Sequence, residues 1–151
     1  MISPETLRRF PLFGGLDEAM LKQIAMLGNE KAVAADEWLF REGDDANTLF
    51  LLLDGVVELT INMDEKGERV EEVSTHGAPA VVGWSALVEP NICTLGGRAI
   101  QDVKVAAIDA VSLRDLMDDN PTAGYQLMKN LARVVGERLV DLRVQFVSLT
   151  V

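Results

Sequence analysis

The stretch that decides the architecture is Arg41-Glu42-Gly43-Asp44-Asp45-Ala46-Asn47-Thr48-Leu49-Phe50-Leu51-Leu52-Leu53-Asp54-Gly55. Leu49 to Leu53 are apolar on both parities of a strand, so neither side faces water and the segment lies between two layers or beneath a helix. Gly43 and Gly55 bound it and supply the positive φ angles that turns at its two ends require.

A strand buried on both faces needs companions, and the flanking sequence supplies them. From Asn29 to about Ile108, short runs of Val, Thr, Leu and Phe are punctuated by Gly, Asp, Asn and Pro, an all-β pattern. The clearest hairpin is Val56 to Met63, the turn Asp64-Glu65-Lys66-Gly67, and the return Glu68 to Val73. Its alternation predicts one buried and one wet face. About seven or eight such strands predict a sandwich or jelly roll. Trp38 is expected in its core, and His76, within Thr75-His76-Gly77-Ala78-Pro79, reads as a loop histidine.

Helical signals flank this region. Ser3-Pro4-Glu5 reads as a cap, a first helical position and an acidic first turn, for a short helix through about Arg9. A second runs from the cap Asp17 with Met20, Ile24 and Leu27 on one stripe and Gly28 as its stop. After a last strand at Val103 to Ile108, a helix spans Ala110 to Met117 and Pro121 opens another. Along it Met128, Leu131, Val135, Leu139, Leu142, Phe146 and Leu149 recur at spacings of 3, 4, 4, 3, 4 and 3, a coiled-coil stripe. Val140, Val144, Val147 and Val151 form a second stripe. From Tyr125 to Leu149 the helix would run roughly 37 Å, more than a small jelly roll needs along its flank. The excess apolar surface predicts a homodimer through this helix.

Composition narrows the function. With 151 residues, 48% of them hydrophobic, the chain suits one domain with a real core. Fourteen basic and 24 acidic residues give a net charge of −10, which opposes direct nucleic-acid binding and anionic membranes. No apolar run reaches the roughly 18 residues of a membrane span, and Met1-Ile2-Ser3-Pro4-Glu5 lacks the form of a signal peptide. With one cysteine, Cys93, the expectation is a cytoplasmic protein with no internal disulfide. His76 is the sole histidine, and no paired Cys/His spacing, calcium loop, GxGxxG or P-loop occurs, so neither metal nor cofactor is expected. Gly83-Trp84-Ser85-Ala86 begins like a nucleophile elbow but has Leu87 where the second glycine belongs. An enzyme is not expected.

The order of elements and two motifs resemble the cyclic-nucleotide-binding domain of catabolite-activator-type regulators. The first motif is the stretch from Arg41 to Gly55. The second, Val82-Gly83-Trp84-Ser85-Ala86-Leu87 with Cys93-Thr94-Leu95-Gly96-Gly97-Arg98-Ala99, resembles that family's phosphate-binding cassette. The resemblance implies a β-roll of jelly-roll type with flanking helices and a long C-terminal dimerisation helix. It implies a cyclic nucleotide, cAMP or cGMP, as ligand, held by Gly83, Trp84, Ser85, Ala86, Leu87, Cys93 and Thr94. Early residues of the last helix, Tyr125, Asn130, Arg133 and Val134, are the candidates for the base side. In the family a short helix aims its amides at the cyclic phosphate and an arginine neutralises it. Here the arginine position is Cys93, and Trp84 stands at the ribose-binding acid. Loss of that charge-assisted contact costs about 1.5 to 3 kcal/mol. Arg98 is a candidate substitute if a strand carries it on the face of Thr94.

The expected organisation is a single unit: N-terminal helices over 1–28, a β-roll over 29–109 and C-terminal helices over 110–151. The resembling transcription regulators continue into a helix-turn-helix domain; the expectation here is a stand-alone module without one, or a fragment of a longer protein. Two functions follow: a stand-alone sensory module whose ligand moves the C-terminal helix, or a protein-interaction and dimerisation module with a pocket filled by its own side chains.

Overall fold

The computed structural model describes residues 1–150. Helices α1 (Pro4–Arg8) and α2 (Glu18–Ala25), with a 3-10 turn at Pro11–Phe13 between them, precede eight strands: β1 (Gly28–Val33), β2 (Trp38–Phe40), β3 (Thr48–Asp54), β4 (Val56–Asn62), β5 (Val70–Gly77), β6 (Ala80–Val82), β7 (Gly96–Ala99) and β8 (Val103–Asp109). A second 3-10 turn, Trp84–Leu87, falls between β6 and β7, and α3 (Ala110–Asp119) and α4 (Pro121–Thr150) close the chain. The strands form two four-stranded sheets, ordered β1-β8-β3-β6 and β2-β7-β4-β5. Every pairing is antiparallel, so the fold is the expected jelly roll.

β3 shows why its sequence has no polar parity. Leu49 and Leu51 face the helices, joining Leu7, Leu12, Ile24, Leu113, Leu127 and Leu131 in one core. Phe50 and Leu52 face the other sheet, meeting Val57, Leu59 and Ala99 in a second. The first sheet is thus a partition between two hydrophobic layers, and burying both of its faces is what a run of five large apolar residues requires.

Local chemistry sets the helix starts. The Ser3 hydroxyl accepts from the Thr6 amide, and Asp17 Oδ1 accepts from the Met20 amide at 2.8 Å. Gly28 does not terminate α2: the helix ends at Ala25, and Gly28 opens β1, where a Cβ would sit 3.0 Å from Ile2 and 3.3 Å from Ile108. Close approach of neighbours, not helix stopping, is what asks for glycine there.

The β4–β5 hairpin departs from simple alternation. Val57 and Leu59 are buried, yet Ile61 of the same parity is 43% exposed, because β7 pairs with β4 only as far as Thr60. The return strand also runs further than expected. His76 lies within β5, paired with Val57, rather than in a loop. Trp38 is not a core residue either. Paired with Arg98, it lies on the face of the second sheet opposite Val57 and Ala99, with the guanidinium groups of Arg41 and Arg98 at 4.3 and 4.8 Å from its ring centroid.

α4 divides into two halves. Its near half buries Leu127, Asn130 and Leu131 against the N-terminal elements, while Met128, expected on that stripe, is 42% exposed. Leu131 of the expected stripe is buried and Val135 packs against the same core, so only Met128 departs from the pattern at this end, its place being taken by Leu127. Beyond it Leu139, Val140, Val144, Phe146, Val147 and Leu149 are all exposed. Val151, assigned to the second stripe, lies outside the described residues. No helix among the described residues is long and apolar enough to cross a membrane.

Candidate functional site

The site begins where β6 ends. Gly83 takes φ +78°, a left-handed turn open to glycine at little cost, and the chain then winds into the turn Trp84–Leu87. The Ala86 amide donates to the Gly83 carbonyl at 3.1 Å and the Val88 amide to the Ser85 carbonyl at 3.3 Å. Behind the turn, the Asn91 amide group donates to the carbonyls of Ser85, Ala86 and Val88 at 3.1, 3.3 and 3.0 Å. Arg114 of α3 donates to the Ala86 carbonyl as well.

A backbone zipper places the other half. The Cys93 amide donates to the Asp44 carbonyl and the Gly43 amide to the Cys93 carbonyl, both at 2.8 Å. The loop preceding β3 and the segment preceding β7 are thereby joined, and Cys93, 4% exposed, is pressed among Ala46, Ala86 and Ala110. Burial pushes its thiol pKa up, with Asp44 and Asp45 adding to the effect. A buried, protonated thiol behaves as a small apolar residue rather than a redox centre.

Of the seven residues assigned to the cassette, Gly83, Trp84, Ser85, Cys93 and Thr94 line one cavity. Ala86 and Leu87 are buried behind it, Ala86 against Cys93 and Leu87 in the helix-side core. Phe40, Leu59, Leu95 and Arg138 complete the lining. The cavity volume is ≈ 40 Å³, room for a few waters, against the roughly 300 to 1,000 Å³ usual for small-molecule pockets.

Two residues outside the sequence-derived set account for that small volume. Phe40 stacks on Phe50 with centroids 5.9 Å apart and lies over Gly97, where a Cβ would come within 2.6 Å of its ring. Arg138, reaching back from α4, lays its guanidinium 4.4 Å from the Trp84 ring and donates to the Val81 carbonyl at 3.2 Å. Burial lowers the pKa of Arg138 from the usual guanidinium range, with Asp141 acting in the opposite sense. An arginine stays protonated at any ordinary pH, so this shift expresses an incompletely solvated cation. Its signal in the sequence was an arginine four and seven residues after Val134 and Leu131, on the inward stripe of an otherwise apolar helix face.

The base-side candidates are placed differently. Asn130 is 2% exposed and donates to the carbonyls of Leu12 at 2.9 Å and Gly14 at 2.7 Å, tying α4 to the first 3-10 turn. Asn130, Arg133 and Val134 line a second cavity of ≈ 280 Å³ under α4, shared with Phe10, His76, Glu137 and Arg138. Tyr125 is exposed further toward the start of the helix. His76 meets the Ser74 hydroxyl at 2.8 Å through Nε2, and its pKa falls from 6.5 to about 4, chiefly through burial and then through the charge of Arg138.

Arg98 does not stand in for the missing cation. β7 begins only at Gly96, so no strand carries Thr94 and Arg98 on one face. Arg98 instead pairs with Glu58 on the outer surface, its Nε donating to Oε1 at 2.7 Å. Among the described residues, no group of three or more His, Cys, Asp or Glu side chains is placed to hold a metal ion.

Comparison with known proteins agrees with this geometry. The family model described as "Cyclic nucleotide-binding domain" matches residues 30–120. A solved structure from Geobacter metallireducens, provisionally named a cyclic nucleotide-binding protein, is 35% identical, with a TM-score of 0.82, over 92% of this chain and 99% of that one. The Thermus thermophilus catabolite activator protein shares the fold at a TM-score of 0.69 and 20% identity, over 93% of this chain and 63% of its own. An uncharacterized NTE family protein of Mycobacterium tuberculosis is 22% identical over 129 residues, 85% of this chain but 21% of that protein's length. The chain thus spans about a fifth of that curated relative.

Proposed function

The chain belongs to the cyclic nucleotide-binding domain family, whose fold is typical of sensory and regulatory modules, and from that premise we propose that occupancy of the cavity beside Gly83 is read out by the C-terminal helix α4. One observation carries the reading: a wall of the cavity belongs to α4 itself, since Arg138 lies across Trp84. A ligand larger than a few waters must meet that guanidinium, so filling the site changes the contacts that hold α4 to the roll. The helix then shifts to the extent that ligand binds the two arrangements unequally.

The ligands to test are cAMP and cGMP. The lining offers the hydroxyls of Ser85 and Thr94 and one guanidinium, with no carboxylate or imidazole to act as a base, which supports binding over catalysis. The exposed apolar residues beyond Arg138, from Leu139 to Leu149, support a homodimer through α4 as the element that transmits the change. A net charge of −10 favours protein partners over nucleic acid as the downstream target.

A second reading rests on the same cavity. With Phe40, Trp84 and Arg138 filling it and Cys93 at the arginine position, the module would bind no nucleotide and serve only to dimerise and dock another protein. Calorimetric titration with cAMP and cGMP, paired with sedimentation of the protein and its Leu139→Glu/Phe146→Glu variant, separates the two. Micromolar or tighter binding, with a dimer that the variant dissociates, is the expected result. No heat at millimolar nucleotide from a folded dimer would overturn the sensory reading in favour of the interaction module.

A further inference from the structure

Resting on the reading that the cavity takes a ligand, we infer that it takes an anionic one whose charge is met by Arg138 of α4, with no cation supplied from the Cys93 side, so that the ligand itself ties the helix to the roll. Arg138 is the only charged residue among the nine that line the cavity. The opposite edge is unsuited to an anion: Cys93 is buried and neutral, and Asp44 and Asp45 stand behind it.

Arg138 is also uncommitted. Among the described residues its one hydrogen bond is to the Val81 carbonyl and no ion pair includes it; Asp141 is the nearby acid that acts on it. One ring face of Trp84 holds the plane of the guanidinium, leaving N–H groups at its edge for a phosphoryl or carboxylate fork. A partly desolvated cation with no carboxylate partner gains more from an incoming anion than a hydrated one does.

The position of Arg138 makes this regulatory. Arg138 lines both cavities beside α4, and Leu139, directly after it, is 61% exposed. An ion pair there pins the helix at the boundary between its docked half and its free half. An arginine supplied by the roll would hold the same ligand without touching α4.

The test is calorimetric titration with cAMP, cGMP, inorganic phosphate and uncharged adenosine, together with hydrogen exchange across residues 134–142. Wild type is expected to bind a cyclic nucleotide but not adenosine, and binding is expected to slow exchange in that segment. Binding of inorganic phosphate as tightly would identify a free anion as the ligand and uphold the role of Arg138. Arg138→Gln should weaken binding about ten- to hundredfold, with Arg138→Lys intermediate and both variants melting close to wild type. Adding Cys93→Arg to Arg138→Gln should restore affinity without restoring protection of 134–142. Equal affinity in wild type and Arg138→Gln would overturn the inference and leave the sensory reading standing. Binding by Cys93→Arg alone, with none by wild type, would overturn it too. Silence from both proteins toward every probe would remove the sensory reading along with it.

Discussion

Asn130 offers the sharpest test of how α4 is attached. Its amide bridges two carbonyls of the N-terminal segment, Leu12 at 2.9 Å and Gly14 at 2.7 Å, while Oδ1 accepts from Gln126 at 3.0 Å. In Asn130→Ala all three contacts go, but they do not cost equally. Leu12 is fully buried, so its carbonyl would be stranded, at about 1 to 3 kcal/mol. Gly14 is exposed and its carbonyl regains water, which reduces that loss to about 1 kcal/mol. The sum is about 2 to 4 kcal/mol, or a fall in Tm of roughly 5 to 15 °C for a chain of this size. Asn130→Asp keeps the shape but turns carboxylate oxygens toward two carbonyls, and should be worse. Urea denaturation followed by the fluorescence of Trp38 and Trp84 measures both. A loss below about 0.5 kcal/mol in Asn130→Ala, accompanied by reduced nucleotide affinity, would refute this account and make Asn130 a ligand contact.

Other consequences follow from the same geometry. With His76 at about 4 in the folded protein and 6.5 as its ordinary value, the unfolded chain takes the proton first. Its contribution to stability is therefore complete above about pH 6.5 and is lost as pH falls toward 4; His76→Gln should flatten the stability–pH curve in that window, as equilibrium denaturation will show. A Cβ at Gly97 would lie 2.6 Å from Phe40, so Gly97→Ala should cost about 1 to 3 kcal/mol in chemical denaturation, and Phe40→Ala in the same chain should recover part of it as a measurable coupling energy. The Cys93 thiol, buried and raised in pKa, should react with iodoacetamide at neutral pH far more slowly than in the denatured chain, as mass spectrometry of timed samples will report.

What the linear sequence determined is the set of features that depend on near neighbours and on period. The doubly apolar run Leu49 to Leu53 demanded two layers, and β3 has them. The caps Ser3 and Asp17, and Pro121 at the start of α4, act through atoms a few residues away, so they were legible without a fold. Gly83 to Ser85 and Cys93-Thr94 are short local motifs, and five of the seven residues assigned to the cassette meet at one cavity.

Tertiary structure alone decided which side chains occupy that cavity. Phe40 enters from β2, 43 residues before Gly83, and Arg138 from α4, 55 residues after it, and no local pattern couples such distances. Asn130, a base-side candidate by resemblance, lines the cavity under α4, and its amide is held by the Leu12 and Gly14 carbonyls, more than a hundred residues away. Trp38 is apolar enough for a core, but the two arginines beside its ring come from separate parts of the chain and hold it on the surface of the sheet. Periodicity reports which face of an element is apolar; what that face meets is settled only when the elements assemble, and the identity of this site lies in that second step.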